Sequence, residues 1–73
     1  MNTIGTILKE LRKSKKLKQS DIADFLNITS RHYQDIEYNK IDLPLSKAVA
    51  LANYFDVSID YLVGRTDKPE VNR

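Results

Sequence analysis

Along most of this chain the apolar residues return every three or four positions, and no stretch alternates apolar with polar for long enough to make a convincing strand. Ile4, Ile7, Leu8 and Leu11 fall at i, i+3, i+4 and i+7, which puts all four on one face of a helix. Thr3 can cap that helix, predicted to run to about Ser14. The basic link KKLK then leads to a second helix predicted over Gln19 to Leu26, with Ile22, Ala23 and Leu26 facing inward. Asn27 stops it, because asparagine tolerates a left-handed backbone better than any residue but glycine. Ile28 is a buried hinge contact, and Thr29 caps a third helix, Ser30 to about Tyr38, closed by Asn39. After the loop KIDLP, Pro44 opens a fourth helix with Leu45, Ala48, Val49, Leu51, Ala52 and Phe55 as a broad apolar face. Ser58 caps a short fifth helix that carries Tyr61, Leu62 and Val63, with Asp60 in its first turn and Gly64 as its stop. The expected architecture is all-α: five helices in one compact domain over residues 1–64, then a flexible polar tail over 65–73.

At 73 residues such a domain buries roughly 60% of the surface of its unfolded chain, which leaves little stability to spare. There is no cysteine, so neither a disulfide nor a thiolate-bound metal can help, and helix packing or a partner chain must suffice. His32 is the only histidine and is too isolated to build a metal site or serve as a catalytic base. No nucleophile triad, carboxylate pair or phosphate-cradling glycine loop appears, Gly5 and Gly64 being the only glycines. The reading is therefore of a protein that is not an enzyme and takes no cofactor, metal or evident small-molecule substrate. The opening MNTIGTILKELRKSKK lacks the long apolar run of a secretory signal or membrane span, so the expected location is cytoplasmic.

Charge is distributed unevenly. Residues 1–20 carry Lys9, Arg12, Lys13, Lys15, Lys16 and Lys18 against Glu10 alone, a net of +5, while residues 21–73 carry six basic and nine acidic side chains, a net of −3. A solvated face accounts for such a run as readily as a function does; the functional reading is a patch for polyanions, with nucleic acid ahead of an anionic membrane.

The two short helices around Asn27, QSDIADFLN and ITSRHYQDIEYN, carry the most specific pattern. Ala23 is small where two helices must cross closely, Asn27 permits the tight turn, and Ile22, Ile28, Tyr33 and Ile36 form the wedge between them. The spacing Gln19, Ala23, Asn27, Tyr33, Ile36 resembles the helix-turn-helix of the Cro/cI-type repressor (XRE) family, and the similarity extends over about residues 4–64, through LKQSDIADFLNIT, IEYNK and ALANYFDVSIDYLVG. The chain departs from the family pattern at four places. Lys18 stands where Ser or Thr usually caps the second helix, Asn27 and Asn39 stand at glycine positions, and Tyr33 fills a site commonly Val or Ile, so that its hydroxyl needs an edge or a partner.

The resemblance implies a sequence-specific regulator of double-stranded DNA, of repressor type, whose third helix lies in the major groove. Turned at 100° per residue, that helix directs Tyr33 and Ile36 inward and puts Arg31, Asp35 and Tyr38 on the opposite face, with Gln34 and His32 on the flanks. Ser30, Arg31, Gln34 and Asp35 are then the base-reading candidates; Arg31 suits the O6 and N7 acceptors of guanine, and Asp35 can accept from cytosine N4. Without the resemblance, Arg31 and Asp35 read as an i, i+4 pair on a solvated face. Lys18, Gln19, His32, Tyr38, Asn39 and Lys40 are the phosphate candidates, at the ends and flank of the motif, with simple surface polarity as the plain alternative. Arg12 and Glu37 resemble the family's internal ion pair. Repressors of this class bind two half-sites roughly 34 Å apart, so the resemblance also implies a homodimer on a palindromic operator, with Val57, Ile59, Tyr61 and Val63 as interface candidates and Leu62 as core. Two readings of other classes stay open: a module of the same fold that binds another regulator, and a membrane-surface module using the basic first helix.

Overall fold

The computed structural model describes residues 3–66 and 68–70, and among them all regular structure is helical. The helices are α1 (Ile4–Ser14), α2 (Gln19–Leu26), α3 (Ser30–Glu37), α4 (Leu45–Phe55) and α5 (Ile59–Leu62). All five expected helices are present, with three small shifts: Tyr38 is the C-cap of α3 rather than its last residue, Pro44 is the N-cap of α4, and Val63 is the C-cap of α5 rather than part of it.

Local chemistry sets the boundaries. The side-chain oxygens of Thr3, Thr29 and Ser58 accept the backbone N–H groups of Thr6, His32 and Tyr61 at 3.3, 3.0 and 3.0 Å. Each satisfies a donor that has no partner within the helix, an interaction of about 1 kcal/mol. Lys18 provides no such oxygen. Instead Asp21, three residues on, accepts the Lys18 N–H at 2.8 Å and sets a negative charge in the first turn of α2, so the end predicted to lack a cap is held from the other side. Asn27 and Asn39 adopt left-handed backbones (φ 59° and 62°), as their sequence positions suggested, and Gly64 does the same at φ 83°. Lys16 (φ 57°) does so too, without a residue type that would announce it, as does Asp56 (φ 55°), whose residue type allows it. At Lys16 the turn is held by the Leu17 N–H donating to the Arg12 carbonyl, while the Arg12 guanidinium returns a bond to the Leu17 carbonyl, both at 3.0 Å.

The core gathers Ile7 and Leu8 from α1, Ile22, Ala23 and Leu26 from α2, Tyr33 and Ile36 from α3, Ala48, Leu51, Ala52 and Phe55 from α4, and Val57 and Leu62 beyond it. The apolar face expected of α4 is narrower than its sequence implied. Ala48, Leu51, Ala52 and Phe55, at i, i+3, i+4 and i+7, take the inward stripe, whereas Leu45 in the first turn is 73% exposed and Val49, one position round from Ala48, is also exposed. Phe25 and Tyr54 meet on the surface with ring centroids 4.5 Å apart and join α2 to α4. Within the segment expected to be a flexible tail, the Pro69 carbonyl accepts the Ser58 N–H at 2.9 Å and the Arg65 N–H donates to the Asp60 carbonyl at 2.7 Å.

The close packing of α1 on α3 fixes the position of the third helix. A Cβ at Gly5 would overlap the Glu37 carbonyl oxygen and lie 2.8 Å from Asn39 Oδ1, so only glycine lets the two helices approach this closely. The Gly5 N–H donates to Asn39 Oδ1 at 3.1 Å, and Asn39 Nδ2 donates to Thr3 Oγ1 at 3.0 Å. One amide thus ties the end of α3 to the start of α1.

Candidate nucleic-acid interface

The turn between α2 and α3 is built as the sequence suggests. Ala23 is fully buried, and its carbonyl accepts the Ile28 N–H at 3.0 Å once Asn27 has turned left-handed. With Tyr33, Ile36 and Glu37 buried, α3 leaves Ser30 and Arg31 exposed, His32, Gln34 and Asp35 half-buried, and Tyr38 exposed just beyond its end. The exposed and half-buried side chains make contacts along the helix: Arg31 Nε lies 3.5 Å from Asp35 Oδ1, and Gln34 Nε2 donates to Tyr38 Oη at 3.4 Å. Asp35 is more sheltered than a helical wheel suggests, its side chain being 20% exposed against 78% for Arg31.

Behind this face sits a buried charge. Glu37, its side chain 1% exposed, receives Arg12 in a two-pronged bond, Nε to Oε2 at 2.7 Å and Nη2 to Oε1 at 3.1 Å, and Gln19 Nε2 donates to Oε1 at 3.2 Å. Burial pushes the Glu37 carboxyl upward, but the Arg12 hydrogen bonds, with the nearby Tyr33 phenol and the Gln19 amide, outweigh it and hold the carboxyl below its ordinary value. The Arg12 hydrogen bond to Glu37 likewise raises the guanidinium above its own. The expected pair of Arg12 with Glu37 therefore fastens α1 to α3 and receives Gln19 from α2 as well. Tyr33 is fully buried, and its hydroxyl lies beside the Glu37 carboxylate without a hydrogen bond of good geometry among the described residues. Burial, and then the Glu37 carboxylate beside it, hold that phenol far above the usual tyrosine range.

The phosphate candidates divide. Lys18 and Lys40 are exposed at the two ends of the motif, and His32 is half-buried on the flank of α3. Gln19 turns its amide toward Glu37, leaving its backbone N–H as the group at the start of α2. The Asn39 amide serves Gly5 and Thr3, and Tyr38 Oη takes the Gln34 bond. Among the interface candidates, Val63 is exposed and Ile59 and Tyr61 half-buried, but Val57 is only 6% exposed and belongs to the core, which leaves it almost no surface for a second chain. Beside Ile59 runs a shallow groove floored by Val49, Ala52 and Val57 and edged by Asn53, Ser58 and Asp60.

Three contributors escaped the reading of the sequence. Asp21 was legible, standing three residues after the N-cap Lys18 where a capping box puts its acid. Gly5 and Lys47, whose Nζ donates to the last carbonyl of α2 (Leu26) at 3.3 Å, answer to long-range contacts that no local pattern announces. Among the described residues no cluster of His, Asp or Glu could hold a metal ion, and no helix is long and apolar enough to cross a membrane.

A helix-turn-helix family model matches residues 8–62. The chain is 40% identical over 63 residues to the HTH-type transcriptional regulator YobD of Bacillus subtilis, covering 86% of this chain and 56% of that protein. It is 31% identical over 62 residues to the immunity repressor protein of Bacillus phage phi105, covering 85% and 43%. The chain thus spans about half the length of these curated relatives. Its fold is similar to that of a transcriptional regulator from Listeria innocua, with a TM-score of 0.84 and 33% identity over 88% of this chain and 60% of that one.

Proposed function

This chain belongs to the Cro/cI-type helix-turn-helix family, and from that membership we propose that it is a sequence-specific DNA-binding transcriptional regulator of repressor type. The observation that carries the proposal is the outward face of α3, where Ser30 and Arg31 stand exposed beside Gln34 and Asp35 while Arg12 and Glu37 brace the helix from behind. In this geometry α3 enters the major groove, Arg31 addresses a guanine, and Ser30 and Gln34 reach neighbouring base edges. Lys18, Lys40, His32 and the N-terminus of α2 meet the backbone phosphates and set register without reading sequence. The relative from phage phi105 is itself an immunity repressor, which supports repression over activation.

Two copies act together. One copy presents a single α3 of 8 residues, which reaches only a few base pairs, so one copy is matched to one half-site, and successive half-sites lie roughly 34 Å apart. A homodimer meeting around Ile59, Tyr61 and Val63 then matches a palindromic operator. Selection of bound duplexes from random DNA, followed by titration of the recovered site, tests the whole reading. A palindromic consensus bound by two copies is expected, and Arg31→Ala should cost about 1 to 3 kcal/mol on that site while leaving random DNA nearly unaffected. No binding at low salt, together with recovery of a protein partner, would instead favour an interaction module.

A further inference from the structure

Both carboxylates of α3 already have an arginine. Glu37 is buried against Arg12 behind the helix, and Asp35 lies in front of it, with Oδ1 3.5 Å from Arg31 Nε. The two members of the front pair differ sharply in exposure. Arg31 reaches into solvent with 78% of its side chain accessible, whereas Asp35 keeps 20%. A short, sheltered carboxylate is poorly placed to reach a base edge, while a long, exposed guanidinium is well placed. The atoms involved matter as much. Arginine presents five N–H donors around a rigid plane, and a carboxylate that approaches Nε leaves the terminal Nη pair free at the far end of the fork. That free end is the part that matches guanine O6 and N7.

We infer that Asp35 is a positioning residue for Arg31, holding the guanidinium at Nε so that its terminal fork faces a guanine, and that Asp35 reads no base of its own. The inference rests on the DNA-reading function proposed above and narrows it: the half-site carries a guanine at the base pair under Arg31, and no base pair is assigned to Asp35. An unpaired arginine samples many rotamers, and most of that freedom must be lost when it docks on a base. Asp35 removes part of it in advance. It also explains how a helix with two acidic residues approaches phosphates: each carboxylate is offset by an arginine, and neither arrives as a bare negative charge.

The test is selection from a randomised duplex library with the unaltered chain, Arg31→Ala, Asp35→Ala, Asp35→Asn and the Arg31→Ala/Asp35→Ala double variant, each checked for a normal melting transition. Arg31→Ala should lower discrimination at one guanine roughly tenfold. Asp35→Ala should lower it at the same base pair several-fold, and the double variant should lose no more than Arg31→Ala alone. Asp35→Asn, which keeps an acceptor oxygen without the charge, should retain part of the preference, and it serves as the probe if Asp35→Ala fails to fold. A shift at a different base pair, an unchanged profile, a uniform loss on all sequences or additive losses in the double variant would each overturn the inference. Failure of the unaltered chain to bind DNA is a distinct result, because it removes the functional reading on which the inference stands.

Discussion

Behind the outward face of α3, the buried Glu37 carboxylate collects hydrogen bonds from Arg12 and Gln19. Because its folded-state pKa lies below the ordinary value of 4.5, the stabilisation it brings is complete above that value and is lost as pH falls through the folded-state value. Thermal unfolding followed against pH should therefore show the native chain losing stability on acidification below about pH 4.5. Glu37→Gln should start from a lower melting temperature at neutral pH and lose less on acidification. A variant that keeps the native pH profile would mean that this carboxylate contributes nothing to it. Its neighbour Tyr33 invites a different expectation. The buried hydroxyl makes no hydrogen bond of good geometry and carries a desolvation cost, which offsets the help it gives the Glu37 carboxylate, so Tyr33→Phe should change stability by no more than about 1 kcal/mol in urea unfolding. A clear loss would instead reveal a working hydrogen bond from the phenol to Glu37.

Helices were legible wherever the signal was local, and the same logic explains what stayed hidden. Thr3, Thr29 and Ser58 each announced a helix start, because a cap is a contact between residues three apart. Asn27 and Asn39 announced their turns by residue type, whereas Lys16 adopts the same backbone with a residue type that carries no such signal. Arg31 and Tyr38 are exposed as the helical wheel implied, whereas Asp35, placed on the same face, is half-buried. The use made of Asn39 was not readable, since its amide spans 34 residues to Gly5. That bond changes the expectation for the residue. As a phosphate ligand, Asn39→Ala would weaken DNA binding at every temperature. As the tie between α3 and α1, it should lower stability by about 1 to 2 kcal/mol through two lost bonds and a strained left-handed alanine, while DNA affinity measured well below the melting temperature stays near native. Urea unfolding paired with low-temperature titration separates the two roles.

Charge organises the molecule as a whole more than any single contact does. The charges at α3 are balanced, Arg31 against Asp35 within the helix and Arg12 of α1 against Glu37, so in the proposed complex this helix brings little net attraction to a phosphate backbone. The attraction must come from the segment before it, where Lys13, Lys15, Lys16 and Lys18 are all exposed around the end of α1 and the start of α2. On the proposed reading, specificity comes from α3 and affinity from the basic link between α1 and α2. Lys15→Gln combined with Lys16→Gln should weaken binding to operator and random DNA by the same factor, because phosphates carry no sequence information. If both lysines neutralise phosphates, the slope of log affinity against log salt should fall by roughly two, each contact contributing about 0.9. The selected consensus should stay as it was, since no base-reading group has been touched. A change in consensus, or a loss confined to the operator, would mean that the basic link helps to read the groove; an unchanged slope would mean that these lysines are only solvated, and that affinity comes from Lys18, Lys40 and the N-terminus of α2.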